Sequence, residues 1–214
     1  HGPESSVIVS AAARERRPGD YGGDMKVIAV YSTKGGVGKT TAAVNLAWEA
    51  AKEFRVLLWD LDPQGAATFL LQVKPKVKGG AKILEQVERD YDVVILDCPP
   101  GASLVAENAV FSADAVVVPL VPSPLSMRSL EQVVEFVGAS VSKARIVGFL
   151  SMVDRRKTLH RTTVEQLPQA QKAVTDVVVP ATVHVERMGT EQAYGELWAL
   201  IRGAVKPKAR RKKS

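Results

Sequence analysis

A chain of 214 residues with 46% apolar and 24% charged side chains can bury one substantial core, which excludes a disordered or collagen-like polymer. Its longest apolar runs, such as Val93–Leu96 and Ala115–Leu120, are strand-length and far too short for a helical membrane span, and one cysteine, Cys98, excludes a disulfide framework. The net charge of +6 has an address: Lys206, Lys208, Arg210, Arg211, Lys212 and Lys213 are six of the 29 basic residues, and the remaining 23 match the 23 acidic ones.

Residues His1–Asp24 lack sustained periodicity and read as an extension, expected to be disordered, ahead of a fold that starts naturally at Met25. From there, β-branched runs at Lys26–Tyr31, Val56–Asp60, Val93–Asp97, Ala115–Leu120, Arg145–Met152 and Val177–Val179 predict strands, several of them apolar on both faces as central parallel strands are. Between them Thr40–Lys52, Ala81–Arg89, Ser103–Phe111, Leu125–Ala139, Leu159–Lys172 and Thr190–Ile201 have helical length and periodicity. Gln72–Gly80, rich in Lys, Pro and Gly, reads as a mobile surface connection. The alternation predicts one α/β domain over residues 25–203, a doubly wound, mainly parallel sheet flanked by helices. Ligands in such folds bind at the carboxyl ends of the strands, and every motif below falls there. Residues 204–214 form a basic tail, which would attract polyanions such as nucleic acid or an anionic membrane surface, or would serve only as a solvated solubility tail.

Three motifs carry chemistry. Between the first strand and its helix stands Lys34-Gly35-Gly36-Val37-Gly38-Lys39-Thr40-Thr41. Glycines there let consecutive backbone N–H groups curl around phosphate oxygens at the positive end of a helix. Lys39 would neutralise the outer phosphates and the Thr40 hydroxyl would ligate Mg²⁺, so ATP and Mg²⁺ are the expected cofactors. The second motif, Asp60-Leu61-Asp62-Pro63-Gln64-Gly65, follows the next strand; an acid there can orient an attacking water or hold a magnesium-bound one, while a capping Asp before a proline turn is the bland alternative. In the third, the apolar strand Val93–Leu96 ends in Asp97, a carboxylate that is costly to bury unless paired or linked to a cation, here through water to Mg²⁺. Cys98 reads as a small apolar strand-end residue, and Pro99-Pro100-Gly101 as a second switch segment. His160 and His184 lack catalytic partners in sequence, and Trp48, Trp59 and Trp198 read as packing residues.

Together these motifs resemble the ParA/MinD family of deviant Walker A ATPases, which are P-loop NTPase-like, with Lys34 at the place of the family's signature lysine and Asp60–Gly65 in the form typical of ParA-like partition proteins; with no N-terminal helix-turn-helix expected, the resemblance is closest to the small ParA-like partition ATPases. The resemblance covers almost all of Met25–Ile201 and implies an ATP-sandwich homodimer in which Lys34 reaches the partner's phosphates, slow ATP hydrolysis, water positioning by Asp62 and support by Asp60. It implies that Gly148–Arg156, Met152 included, lies near the nucleotide base, with Pro180–Val183 as the base-binding loop. It further implies nonspecific DNA binding, a ParB-like or other adaptor that stimulates hydrolysis, segregation or positioning of a cargo, and a cytoplasmic, nucleoid-associated location, which also suits the lone cysteine.

Two other classes compete. A MinD-like membrane-surface ATPase would need an anchor, for which Leu197, Trp198, Leu200, Ile201 and Val205 beside the basic run are candidates, although Pro207 interrupts the segment. A reductase or ligase built on the same loop is disfavoured by the single cysteine and the short Gln72–Gly80 link.

Overall fold

Each central strand carries apolar side chains on both faces, and the architecture follows from the need to cover both. The computed structural model describes residues 6–11, 25–71, 87, 90–139, 144–182 and 192–205. Its strands are β1 (Ser6–Ala11), β2 (Lys26–Val30), β3 (Val56–Asp60), β4 (Val93–Asp97), β5 (Ala115–Leu120), β6 (Arg145–Val153) and β7 (Val174–Pro180). The helices among the described residues are α1 (Lys39–Ala51), α2 (Ala66–Leu71), α3 (Leu104–Ser112), α4 (Pro124–Ala139), α5 (Thr158–Ala170) and α6 (Gln192–Ala204). The strands form one sheet in the order β1-β3-β4-β2-β5-β6-β7. All neighbours from β3 to β7 are parallel, and β1 lies antiparallel on the β3 edge.

Period-two alternation divides the interior into two cores. Ile28, Val30, Val56, Leu58, Ile95 and Val117 face α1 and α6, where Leu46, Tyr194, Leu197 and Ile201 are buried. Ala29, Tyr31, Leu57, Val94, Leu96 and Val116 point the other way, against Ala106 and Val110 of α3, Leu130 and Val133 of α4 and Leu167 of α5. The amino ends of the strands are fastened by ions. Arg55 grips Asp92 with Nε–Oδ2 3.0 Å and Nη2–Oδ1 2.6 Å, while Asp114 accepts the Val27 N–H at 2.9 Å. From β2 the chain crosses to β3, returns inward to β4 and then crosses to β5 on the other side of β2, so the winding reverses at β2, whose carboxyl end opens the crevice where ligands of such sheets sit.

The expected fold class is observed, and four details differ from the sequence reading. Ser6–Ala11, excluded there from the fold, pairs with β3 from Ser6↔Asp60 to Ala11↔Val56; three successive β-branched residues favour extended backbone, and the β3 edge offers a ladder to join. The helix α2 was not foreseen, because six residues are too few to display a period. Trp48 lies 59% exposed on α1 rather than in a core, whereas Trp198 is buried. Finally, the apolar face of α6 belongs to the core: Leu197, Trp198, Ile201 and Val205 are buried and only Leu200 of the candidate anchor residues is exposed. The expected helix Ala81–Arg89 and link Gln72–Gly80 lie outside the described residues, Val87 excepted. No described helix is long and apolar enough to cross a membrane.

Candidate functional site

Ladder register brings the acids together. Asp97 stands opposite Val30 of β2 on one side and opposite Asp60 of β3 on the other, so both carboxylates finish their strands in the row where β2 turns into the glycine-rich loop. In that loop Gly36 and Gly38 have left-handed backbone, φ 68° and 91°. Gly38 is the N-cap of α1, and its carbonyl accepts the Ala42 N–H at 2.9 Å, the first helical bond. Without a side-chain cap, the helix presents its positive end to the loop. Nothing lies within 4 Å of where a Cβ on Gly35 or Gly36 would stand, so the loop encloses open space of the kind a phosphate fills. Thr33 Oγ1 fastens the loop to α4 through Ser129 Oγ at 2.7 Å.

Lys39, 8% exposed, folds back to donate from Nζ to the Lys34 carbonyl at 3.1 Å. Burial lowers its pKa, and the carboxylates of Asp97 and Asp62 oppose that shift. Lys34 is exposed, and its own backbone N–H donates to Ser32 Oγ at 3.3 Å. Asp97 is fully buried, with neither carboxylate oxygen hydrogen-bonded in normal geometry. Burial pushes its pKa up to about 7; the neighbouring Thr40 hydroxyl and Lys39 pull the other way, while Asp60 and Asp62 add to the rise. An orphaned buried carboxylate is costly unless something completes it. Hard oxygens from Asp97 and Thr40 fit Mg²⁺, which is held by one or two carboxylates plus phosphate oxygens and water, so the residues present match such an ion. Among the described residues no cluster of three or more metal-binding side chains forms.

The Asp60–Gly65 segment is a tight turn built by its own acids. Asp60, fully buried, accepts the Asp62 N–H at 3.1 Å, and Asp62 Oδ1 accepts the Gln64 N–H at 3.0 Å. Both acids therefore also fill the bland capping role. At the third strand end, Tyr31 Oη donates to the carbonyl of left-handed Gly101 at 3.4 Å, and Ser103 caps α3. Burial raises the pKa of Cys98, which is fully buried and remains a thiol, not a nucleophile.

Two clefts flank the loop. One, of about 240 Å³, gathers Gly36, Gly38 and Thr41 with Ser151, Met152, Pro180 and Tyr194. The other, of about 340 Å³, lies between Lys34–Val37 and Met152, Asp154, Lys157 and His160. The structure thus assembles Lys34, Gly35–Thr41, Asp60, Asp62 and Asp97 at one sheet end and sets Met152 and Pro180 beside Thr41. Val183 and the basic residues Lys206, Lys208, Arg210, Arg211, Lys212 and Lys213 lie outside the described residues. Sequence reasoning reached Ser151 only as one residue of the Gly148–Arg156 segment and missed Tyr194 and the Ser129 tether. Those two carry no local signal, being ordinary residues of helices.

Gly38 makes a sharp prediction. A Cβ there would meet Ser151 Oγ at 3.0 Å on left-handed backbone. Gly38→Ala is therefore expected to destabilise the ligand-free chain by about 1–2 kcal/mol in urea melts. Gly35→Ala, with open space and no positive φ, should stay within about 0.5 kcal/mol of the parent. Equal effects of the two would contradict the conformational argument.

Residues 28–193 match the family described as the CobQ/CobB/MinD/ParA nucleotide binding domain. The chain is 35% identical over 167 residues to the maintenance of carboxysome distribution protein A of Gloeobacter kilaueensis, covering 73% of this chain and 74% of that protein. It is 30% identical over 217 residues to the chromosome partitioning protein ParA of Myxococcus xanthus, covering 75% and 77%. Among solved structures, cobyrinic acid a,c-diamide synthase from Mycobacterium smegmatis, with bound ATP analogue and magnesium, shares the fold at TM-score 0.66 and 24% identity, over 83% of this chain and 95% of that one.

Proposed function

This chain belongs to the CobQ/CobB/MinD/ParA family of nucleotide-binding domains, and from that premise we propose that it is a Mg²⁺-ATP-dependent dimerising switch that binds DNA nonspecifically and segregates or positions a cargo. The observation that carries the proposal is the orphaned Asp97 carboxylate beside Thr40 and a buried Lys39, at the mouth of an open glycine loop. The relatives named for chromosome partitioning and for carboxysome distribution support the partition or positioning class.

In this reading the loop amides of Gly35–Thr41 bind the phosphates, and Lys39 leaves the Lys34 carbonyl to neutralise the outer ones. Thr40 and, through water, Asp97 would hold Mg²⁺, which would supply positive charge to offset that of the phosphates. Asp62 orients a water for attack on the γ-phosphorus, and Asp60 keeps the Asp62 turn in place. The bond to the bridging oxygen breaks, leaving ADP and inorganic phosphate. Met152, Pro180 and Val183 form the wall for the base. Lys34 stabilises charge on a partner's nucleotide, so hydrolysis waits for a sandwich dimer. An adaptor protein accelerates that step, and the protein works in the cytoplasm on the nucleoid.

DNA binding is assigned to the tail, where dimerisation doubles six cationic side chains and electrostatic affinity rises steeply with contacts. A membrane-surface role is the weaker reading, because the apolar face of α6 is occupied by the core. The test is fluorescence anisotropy with a nonspecific duplex, for the full chain and for one lacking residues 206–214. With Mg²⁺-ATP the full chain should bind at least about tenfold more tightly than the truncated one and show the steeper salt dependence. Equal affinity with ATP, with ADP and after truncation would overturn the assignment.

A further inference from the structure

The wall shared by the two clefts is held in an unfavourable backbone shape. Met152 is the one non-glycine residue with positive φ among the described residues, at 55°. It stands where β6 slips out of register with β7, between Leu150 and Val153, and it lines both clefts. Left-handed backbone at a methionine persists only where its surroundings over-determine it.

The surroundings are few and identifiable. On one side the Ala181 N–H donates to the Val153 carbonyl at 3.0 Å. On the other, the Asp154 N–H donates to His160 Nδ1 at 3.0 Å, across the start of α5. The Asp154 carboxylate is taken up by the exposed Arg156, Nε–Oδ1 2.9 Å and Nη2–Oδ2 3.0 Å, so it does not compete for that amide. His160 is 7% exposed, and a ring nitrogen that accepts from an amide carries no proton, which places the hydrogen of the neutral ring on Nε2. A buried polar ring under a cleft, with its acceptor aimed at the amide two residues after the strained methionine, is more than a space-filling side chain.

We propose that His160 is a positioning residue for the nucleotide: by accepting the Asp154 N–H through Nδ1, it holds the left-handed Met152 turn that gives both clefts their common wall. The inference rests on the clefts being the nucleotide site as read above. It concerns binding and not the chemical step, because Met152 and Asp154 stand apart from the acids that end β3 and β4.

Asparagine carries an acceptor at the position of Nδ1, glutamine carries it one bond farther out, and leucine carries none. The experiment measures KM for Mg²⁺-ATP by phosphate release and Kd by calorimetry on the full chain and its variants. His160→Leu should raise both constants roughly five- to tenfold, the effect of one lost buried hydrogen bond. Its kcat at saturating ATP should stay within about twofold. His160→Asn should restore both constants nearly to the parent values, and His160→Gln should follow the leucine variant. Leucine and asparagine variants that behave alike, whether both unchanged or both impaired, would overturn the role, as would a fall in kcat at constant KM. Should the leucine variant fail to fold, the asparagine–glutamine comparison decides the same question. A parent chain that takes up no ATP defeats the site reading itself; a parent that binds ATP alongside indistinguishable variants defeats only the His160 role.

Discussion

Replacing Asp97 with asparagine is expected to stabilise the ligand-free chain at pH 8 while abolishing its response to Mg²⁺-ATP. A folded pKa of about 7 against an ordinary 3.8 corresponds to about 4 kcal/mol of opposition to the charged form. The folded chain holds its proton where the unfolded chain has lost it, so the cost of Asp97 is absent below pH 4, grows as pH rises through the interval from 4 to 7, and is complete above 7. Asparagine removes the charge but leaves amide atoms in the same dry position, which returns about 1–3 kcal/mol of the gain. The net expectation is a stabilisation of about 1–3 kcal/mol at pH 8, or roughly 3–8 °C in Tm, shrinking toward pH 4. The same substitution removes the carboxylate to which the proposed function assigns Mg²⁺, and ATP turnover should fall roughly 100-fold or more. Thermal scans at pH 5 and pH 8, with and without Mg²⁺-ATP, check both halves. An Asp97→Asn chain that is less stable at pH 8, or that still gains from Mg²⁺-ATP as the parent does, would show that this buried acid does not wait for a cation. Such a trade of ligand-free stability for a competent site is what a strained binding centre predicts.

How much of this was visible beforehand follows from how local each feature is. The phosphate loop was legible because its glycines, Lys39 and Thr40 fall within one short stretch, flanked by a strand and a helix whose periods are plain. Asp97 was legible because an acid ending a wholly apolar strand violates the pattern around it. The cleft beside Thr41 was only half legible. It is assembled from the ends of β6 and β7 and from Tyr194 on α6, residues brought together by the strand order and by no sequence spacing. Met152 and Pro180 could be placed there only through the family resemblance. His160 had no partner in sequence terms because its partner is a backbone amide, which every residue but proline possesses. The α6 anchor and Trp48 misled in opposite directions: an apolar stripe does not say whether it faces a core or a membrane, and a large aromatic does not say which side of its helix is covered.

The two loop lysines should separate cleanly. Lys39→Ala removes an ammonium buried between the loop and the carboxylates of Asp97 and Asp62, so the single chain should lose ATP binding itself. Lys34→Ala removes an exposed side chain, while the backbone N–H that meets Ser32 and the carbonyl that receives Lys39 are retained by any residue at that position. Ligand-free stability should therefore change by no more than about 0.5 kcal/mol, and ATP affinity of the single chain only modestly. What should disappear is whatever requires a second copy: Mg²⁺-ATP-dependent dimerisation, read by light scattering on a sizing column, and with it turnover, by roughly 100-fold or more. Holding the monomer constant while the dimer is lost is a demand that a solvated surface lysine would not meet. A Lys34→Ala chain that dimerises and hydrolyses ATP like its parent would remove the reach across the interface and reduce Lys34 to a residue that shapes its own loop.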